Sequence, residues 1–438
     1  MGVANYFLTP LFLINIIQRL IVHTAYKESN YRRWRVGIIL LLGLLGLNIL
    51  WFVPSPLLTE IMEDLNLSLV QGGLMMSVVC LMIAGFSLVS GYMLEKDKLT
   101  SVFSVGLWLM GVGAASTYLV NSFLALFITR IVIGIGFGLC LPAAGSLIMR
   151  CFSEGERPYV NTINSILPYI ATALTFIFTV PLYLWLGHSW KLVITFLGLF
   201  MMLLALSWSM VSKKSGIISG QTMIDNKTKQ KTPRNLFRQV IRNKQVVLIS
   251  IAEAGDMWSF QFLTSYLPTY YISEAGLDLA AASNITAVFP AAGIIAGLAC
   301  GIWMSRSGLR KPFTWPMHLI IFAGTFMAVN GTGTVRLAGV FLAGFGNAGW
   351  APALFTMPME FEDMNPARVG AVYAVMLSAG FLAAFVSPWA GGWLGQQIGL
   401  HDTIFYFSFS SLIAALCTFM MEETGPGLKR QEILWKES

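Results

Sequence analysis

Residues 52–59 read Phe-Val-Pro-Ser-Pro-Leu-Leu-Thr, and 210 positions later residues 262–269 read Phe-Leu-Thr-Ser-Tyr-Leu-Pro-Thr. Phe52, Ser55, Leu57 and Thr59 thus meet Phe262, Ser265, Leu267 and Thr269 without a gap. The register persists along the chain. Leu67 and Leu69 meet Leu277 and Leu279, and Gly91 meets Gly301. Further on, Gly134, Gly136, Pro142 and Ala143 meet Gly344, Gly346, Pro352 and Ala353. Single matches between apolar segments arise by chance; one constant offset across four of them marks a duplicated unit.

The unit is built for lipid. Of 438 residues, 56% are hydrophobic and 11% charged, whereas a soluble domain carries about 25% charged residues. Twelve apolar stretches reach the roughly 20 residues that cross a hydrocarbon core: 36–57, 69–91, 99–119, 122–149, 159–184, 190–212, 245–271, 279–303, 313–333, 336–359, 367–397 and 402–421. Six spans per copy return the chain to its starting side, so the copies run parallel. The fold expected is an all-α membrane protein with two pseudo-symmetric six-helix bundles. Its parts are a cytoplasmic or interfacial extension (1–35), a first bundle (36–212), a basic cytoplasmic linker (213–244), a second bundle (245–422) and a cytoplasmic tail (423–438).

Lysine and arginine set the orientation. One set of loops carries Arg32, Arg33, Arg35, Lys96, Lys98, Arg150, Arg157, Arg306, Arg310, Lys311, Arg368, Lys429 and Arg430. The alternate set has Lys191 and Arg336 beside acids such as Glu60, Glu63, Asp64, Glu274 and Asp278. Both termini are therefore expected in the cytoplasm of a multi-pass cell-membrane protein. The net charge of +7 belongs to this pattern, including nine basic residues and one acid between Lys213 and Lys244. It does not call for nucleic acid.

Enzymatic chemistry finds no foothold. The five cysteines (Cys80, Cys140, Cys151, Cys300, Cys417) have no metal-ligand or disulfide spacing, and His23, His188, His318 and His401 fall at span ends or in loops. The Gly344-Phe-Gly346-Asn-Ala-Gly349 pattern lies inside a span and follows no strand, so it reads as helix packing, as do Gly293, Gly297 and Gly301. No cofactor, metal or nucleotide is expected.

Charges at mid-membrane depth are costly and mark sites. Glu253 and Asp256 lie roughly 14 and 18 Å into the seventh span, three residues apart and so on one helix face. Two neighbouring carboxyls in low dielectric resist carrying two charges at once, which suits a site that binds and releases H+. Arg130 lies roughly 12 Å into the fourth span. It is placed in the candidate substrate cavity, the alternative being a structural cation that satisfies backbone carbonyls of the bundle. Asn48 and Trp51 of the first span, Gln261 of the seventh, and Asn347 and Trp350 of the tenth complete the candidate substrate cavity.

At the cytoplasmic end of the second span stands Gly91-Tyr-Met-Leu-Glu95-Lys96-Asp97-Lys98, and at its repeat position Gly301-Ile-Trp-Met-Ser305-Arg306-Ser307-Gly308-Leu309-Arg310-Lys311. Together with Arg130-Ile-Val-Ile-Gly134-Ile-Gly-Phe-Gly138, these segments resemble the loop and fourth-span signatures of the major facilitator superfamily. The second loop has Ser305 where that signature has an acid, and the first lacks the second glycine and the basic pair. The likeness covers about Val36 to Glu423; Pro54-Ser-Pro-Leu-Leu and Leu267-Pro268-Thr269 loosely resemble the cyanate and nitroimidazole permease branch.

The resemblance implies a secondary active transporter of a small organic solute or anion. The chain is expected to be monomeric and proton-coupled, and to rock its bundles about a midplane site. It also implies that Gly91, Glu95, Lys96, Gly301, Arg306, Gly308, Arg310 and Lys311 latch one conformation through pairs between bundles. Asn161-Thr-Ile-Asn164-Ser-Ile-Leu-Pro168 replaces the fifth-span glycine-proline signature of drug/proton antiporters, which leaves multidrug or cation efflux as the alternative. A receptor or scaffold on the same fold, or a channel, is the alternative of another class.

Overall fold

The computed structural model describes residues 34–94, 99–152, 157–214, 236–362, 364 and 366–427. The expected extension, most of the basic linker, Glu95, Lys96 and most of the tail lie outside them. Within them run twelve helices long and apolar enough to span a membrane: α1 (Trp34–Leu65), α2 (Leu69–Gly91), α3 (Leu99–Leu119), α4 (Phe123–Ile148), α5 (Ile163–Trp185) and α6 (Trp190–Ser212). The second six are α7 (Lys244–Ser273), α8 (Leu279–Ser307), α9 (Lys311–Asn330), α10 (Gly333–Glu360), α11 (Arg368–Ile398) and α12 (Leu400–Phe419). Trp34 and Phe419 lie on one side, here the near end; α1 finishes at the far end.

Local chemistry sets the breaks. In α1 the regular helix stops at Phe52, because Pro54 and Pro56 have no N–H to give the carbonyls of Leu50 and Phe52. A 3-10 turn over Ser55–Leu57 and a last helical stretch Leu58–Leu65 follow, and Asn66 ends the helix in the left-handed region at φ 50°. The first span is therefore longer than the apolar run 36–57, since Glu60, Glu63 and Asp64 belong to its helix rather than to a loop. Elsewhere, polar caps begin helices: Ser122 accepts from the Ala125 N–H, and Asp278 from the Ala281 N–H. Gly308, at φ 68°, closes α8.

The repeat is carried into three dimensions contact by contact. In the first bundle α4 packs on α2 and α3, and α3 on α6; in the second, α10 packs on α8 and α9, and α9 on α12. Gly134 lets α4 lie against the backbone of Val79, and Gly344 lets α10 lie against the backbone of Phe289. Both residues of each contact are 210 apart from their mates. Asp64, ending α1, accepts from the Trp190 indole at the start of α6 (3.0 Å). Its mate Glu274, ending α7, accepts from the backbone of Leu400 and His401 at the start of α12 (2.6 and 2.8 Å).

The bundles meet along two seams, α2 with α11 and α5 with α8, which the repeat also interchanges. Both seams are tight toward the far end. A Cβ on Gly73 would sit 2.1 Å from the Pro388 carbonyl oxygen, and one on Gly392 2.4 Å from the Leu69 carbonyl oxygen. Tyr266 donates to the Leu69 carbonyl at 2.5 Å, Ser283 to the Phe176 carbonyl at 2.6 Å, and Ser55 to the Thr264 carbonyl. Toward the near end they part: among the described residues, a Cβ on Gly85, Gly91 or Gly370 would meet nothing within 4 Å.

One histidine departs from its expected place. His318 lies inside α9, fully buried, its ring centroid 4.6 Å from that of Trp350 and neither nitrogen hydrogen-bonded. The helix begins at Lys311, so His318 sits two turns into the span.

Candidate functional site

α7 runs through the centre of the molecule between α11 and α12, with α10 joined to it by side chains. Asp256 is 3% exposed, and both its carboxyl oxygens accept from the Asn347 amide nitrogen of α10 at 3.0 Å. The Trp350 indole lies within hydrogen-bonding reach of the same carboxyl. The Asn347 amide oxygen, turned the other way, accepts from the Tyr169 hydroxyl of α5 at 3.3 Å. One chain of hydrogen bonds therefore runs from the second bundle's carboxyl to the first bundle.

Glu253, one turn nearer the near end, faces Gly380 of α11. Its Oε2 is buried without a partner. An isolated charge there carries a full desolvation penalty, so the group is stable when it holds a proton or when a cation joins it. The sequence placed both carboxyls on one helix face; the structure gives them different neighbours on α10 and α11.

On the far side of Asp256 the site is roofed by rings. Phe137 meets Trp51 edge-on at 5.5 Å, Trp51 stacks on Phe52 at 4.5 Å, and Phe52 meets Phe260 across the bundle boundary at 5.7 Å. Phe260 in turn touches Phe289 of α8 and Tyr169 of α5. Gln261 lies within this roof, fully buried, its nitrogen 3.3 Å from the Ser265 hydroxyl and its oxygen unpartnered. Asn48 turns back on its own helix, donating to the Leu44 carbonyl at 2.9 Å.

Arg130, expected in the substrate cavity, is instead engaged with main-chain carbonyls. It donates to the carbonyls of Leu50 (2.8 Å), Trp51 (2.7 Å) and Met75 (3.3 Å) and is 1% exposed. The Leu50 carbonyl is the one that Pro54 leaves without a backbone donor. Arg130 thus mends the break in α1 and ties it to α2 and α4, away from Asp256.

The near-end loop also differs from expectation. Arg310 forms a bidentate pair with Glu360 of α10 (2.7 and 3.0 Å) and donates its backbone N–H to Glu423, just past α12. Lys311 donates its backbone N–H to the same carboxylate at 2.9 Å and holds its ammonium over the Phe419 ring. These partners all belong to the second bundle, so the pairs do not bridge the bundles. Arg306 and Gly91 are exposed, and Gly301 packs loosely on Pro352.

Tyr169, Glu360 and Glu423 were not singled out from the sequence. A separate cleft of about 480 Å³ lies at the far end, lined by Glu60, Glu63, Asp64, Tyr183, His188 and Lys191 among others. Two of its three acids are already bonded, Glu60 to Tyr183 and Asp64 to Trp190 and Lys191. Among the described residues no His, Cys, Asp and Glu gather in threes to hold a metal.

The sequence profile of the Major Facilitator Superfamily matches residues 40–362. The chain belongs to that family: it is a multi-pass membrane transporter of small molecules, not an enzyme. Among its relatives, a Bacillus subtilis (strain 168) protein named as the uncharacterized transporter YybO is 22% identical over 89% of this chain and 92% of its own. The hexuronate transporter of the same organism is 24% identical over 79% of this chain and 84% of its own. A probable chloroplastic anion transporter of Arabidopsis thaliana is 22% identical over 82% and 73%. A bacterial homologue of the human lysosomal transporter Spinster, solved inward-facing and unoccupied, superposes with a TM-score of 0.76 at 15% identity, over 89% of this chain and 96% of that one. Its occupied inward-facing form gives 0.72.

Proposed function

We propose that the chain is a secondary active carrier of the cell membrane that moves a small organic solute by alternating access, coupled to H+ through Glu253 and Asp256. The observation that carries the reading is the taper of the two bundle seams, closed by backbone contact at Gly73 and Gly392 and, among the described residues, open at Gly85, Gly91 and Gly370. The basic loops put the near end, and both termini, in the cytoplasm, so this is the inward-facing state. The aromatic roof then closes the outer route while Asp256 lies on the cytoplasmic side of Phe260. Rocking about the midplane would open the far seams and close the near ones. A single chain holds both repeats, so a monomer suffices.

The solute is neutral or cationic. Arg130 is engaged with carbonyls, and the midplane side chains that remain are carboxyls, carboxamides and rings; the latter two bind uncharged or cationic groups without a counter-charge. This departs from what the names of the hexuronate and anion transporters say of those proteins. The loose likeness of Pro54-Ser-Pro to cyanate and nitroimidazole permeases has a structural reason of its own, the break that Arg130 mends.

The test begins with a thermal-shift screen of purified protein against neutral, cationic and anionic solutes, followed by uptake of the best binder into vesicles under an imposed pH gradient. Glu253→Gln with Asp256→Asn should abolish pH-driven accumulation while solute exchange continues. Accumulation that survives both changes removes the proton site. Saturable binding without any flux leaves a receptor on a carrier fold.

A further inference from the structure

We infer that Asn347 reads the protonation state of Asp256 and passes it to the opposite bundle through Tyr169, so that Tyr169 and Asn347 are the positioning residues of the coupling step. The inference rests on the carrier reading above and adds to it the device that joins proton to motion.

The amide, as it is oriented, fits the ionised form of Asp256. A carboxamide nitrogen only donates, and the Asn347 nitrogen lies 3.0 Å from each Asp256 oxygen. Both oxygens therefore accept, as they do in the carboxylate. This orientation leaves the Asn347 oxygen to take the Tyr169 proton at 3.3 Å. When Asp256 binds a proton, one oxygen becomes a donor facing a donor. The pair regains its bond when the carboxamide turns over, giving its oxygen to the new O–H and its nitrogen to Tyr169. The tyrosine hydroxyl must then accept, and its own proton loses its partner.

Tyr169 has little room to follow. Its ring lies against Gly293 of α8, where a Cβ would be 2.5 Å from a ring carbon, and it meets Phe260 edge-on. One helical turn toward the near end the same seam is already looser, with Ile166 3.9 Å from the position of a Cβ on Gly297. Tyr169 thus sits where the α5–α8 seam passes from closed to open, and the bond to Asn347 is broken or remade at that point. Around Asp256, Glu253 is the second carboxyl of the proposed proton site, and the link through Asn347 belongs to Asp256. Glu253 shares its helix, α10 offers neutral Asn347 and Trp350, and α9 places His318 behind Trp350. α11 presents Gly380 to Glu253, and α12 bonds α7 through Ser410 and Ser411.

The experiment reads the near-end opening directly. The native cysteines at Cys80, Cys140, Cys151, Cys300 and Cys417 are all buried, so Gly370→Cys in otherwise unchanged protein gives one accessible thiol. Its labelling rate by a polar thiol reagent is measured in mildly acidic and mildly alkaline buffer. The parent should change by at least about fivefold, the low end of usual coupling between sites. Tyr169→Phe keeps the ring and should flatten that response, with solute KM in exchange unchanged and pH-driven turnover lowered. Asn347→Ser cuts the same link from α10 without touching the tyrosine and should flatten the labelling response in the same way, whatever it does to solute KM. Tyr169→Phe or Asn347→Ser protein that keeps the parent's pH response overturns the inference. A parent with no pH response overturns it too, and accumulation by Asp256→Asn protein then decides separately whether proton coupling falls with it.

Discussion

Replacing Gly73 by alanine should push the protein away from the far-end-closed state, the one proposed above to face inward. The added Cβ would lie 2.1 Å from the Pro388 carbonyl oxygen and 2.7 Å from the Tyr266 hydroxyl. A carbon–oxygen contact relaxes to about 3.3 Å, so the α2–α11 seam must open by roughly 1.2 Å. Pro388 presents backbone, which no rotamer change can withdraw. Overpacking of this kind costs about 1–3 kcal/mol, and the far-end-closed state bears it while a far-end-open state does not. The conformational ratio should therefore move by about 5–150-fold. The assay is labelling of Gly370→Cys, which should slow, by up to that factor where both states are populated, with turnover falling alongside. Gly91→Ala, where a Cβ meets nothing within 4 Å among the described residues, is the matched control and should label as the parent does. Wild-type labelling of a well-folded Gly73→Ala protein would refute the argument that this seam sets the state.

Two further outcomes concern stability. Arg130→Met removes three bonds to main-chain carbonyls and should lower the thermal unfolding temperature markedly, by at least about 3 kcal/mol in stability; adding Pro54→Ala, which restores a donor to Leu50, should return about 1 kcal/mol of that in a double-mutant cycle. Glu274→Gln weakens the carboxylate cap on Leu400 and His401 and should cost about 1 kcal/mol, again read from unfolding, with solute affinity unchanged.

The large architecture was legible because duplication wrote it twice. Gly134 and Gly344 can be paired on paper, and their contact partners Val79 and Phe289 then fall into the same register without being similar residues. Span ends were legible where caps and charges mark them; they failed at α1, where the apolar run ends before the helix does. The site was legible only in part. Glu253 and Asp256 stand out as acids in an apolar span. Arg130 stands out equally, but its partner is a carbonyl eighty positions away, emptied by a proline, and no local pattern links the two. Tyr169 gave no signal, being one aromatic among many, with Ala379 at its repeat position. The near-end loop shows the same limit: a motif names Arg310 but not the carboxylates that fold back to meet it.

The rings that cross the bundle boundary have a bearing on thrift with the gradient. Phe52, Phe260 and Phe289 meet there without a hydroxyl among them, and their edges cannot relay a proton from one water to the next. On the proposed inward-facing, proton-coupled reading, a proton delivered to Asp256 from the cytoplasm would meet these rings next. On that reading leakage past the rings would be opposed by carbon, and a proton would cross when the protein itself carries it.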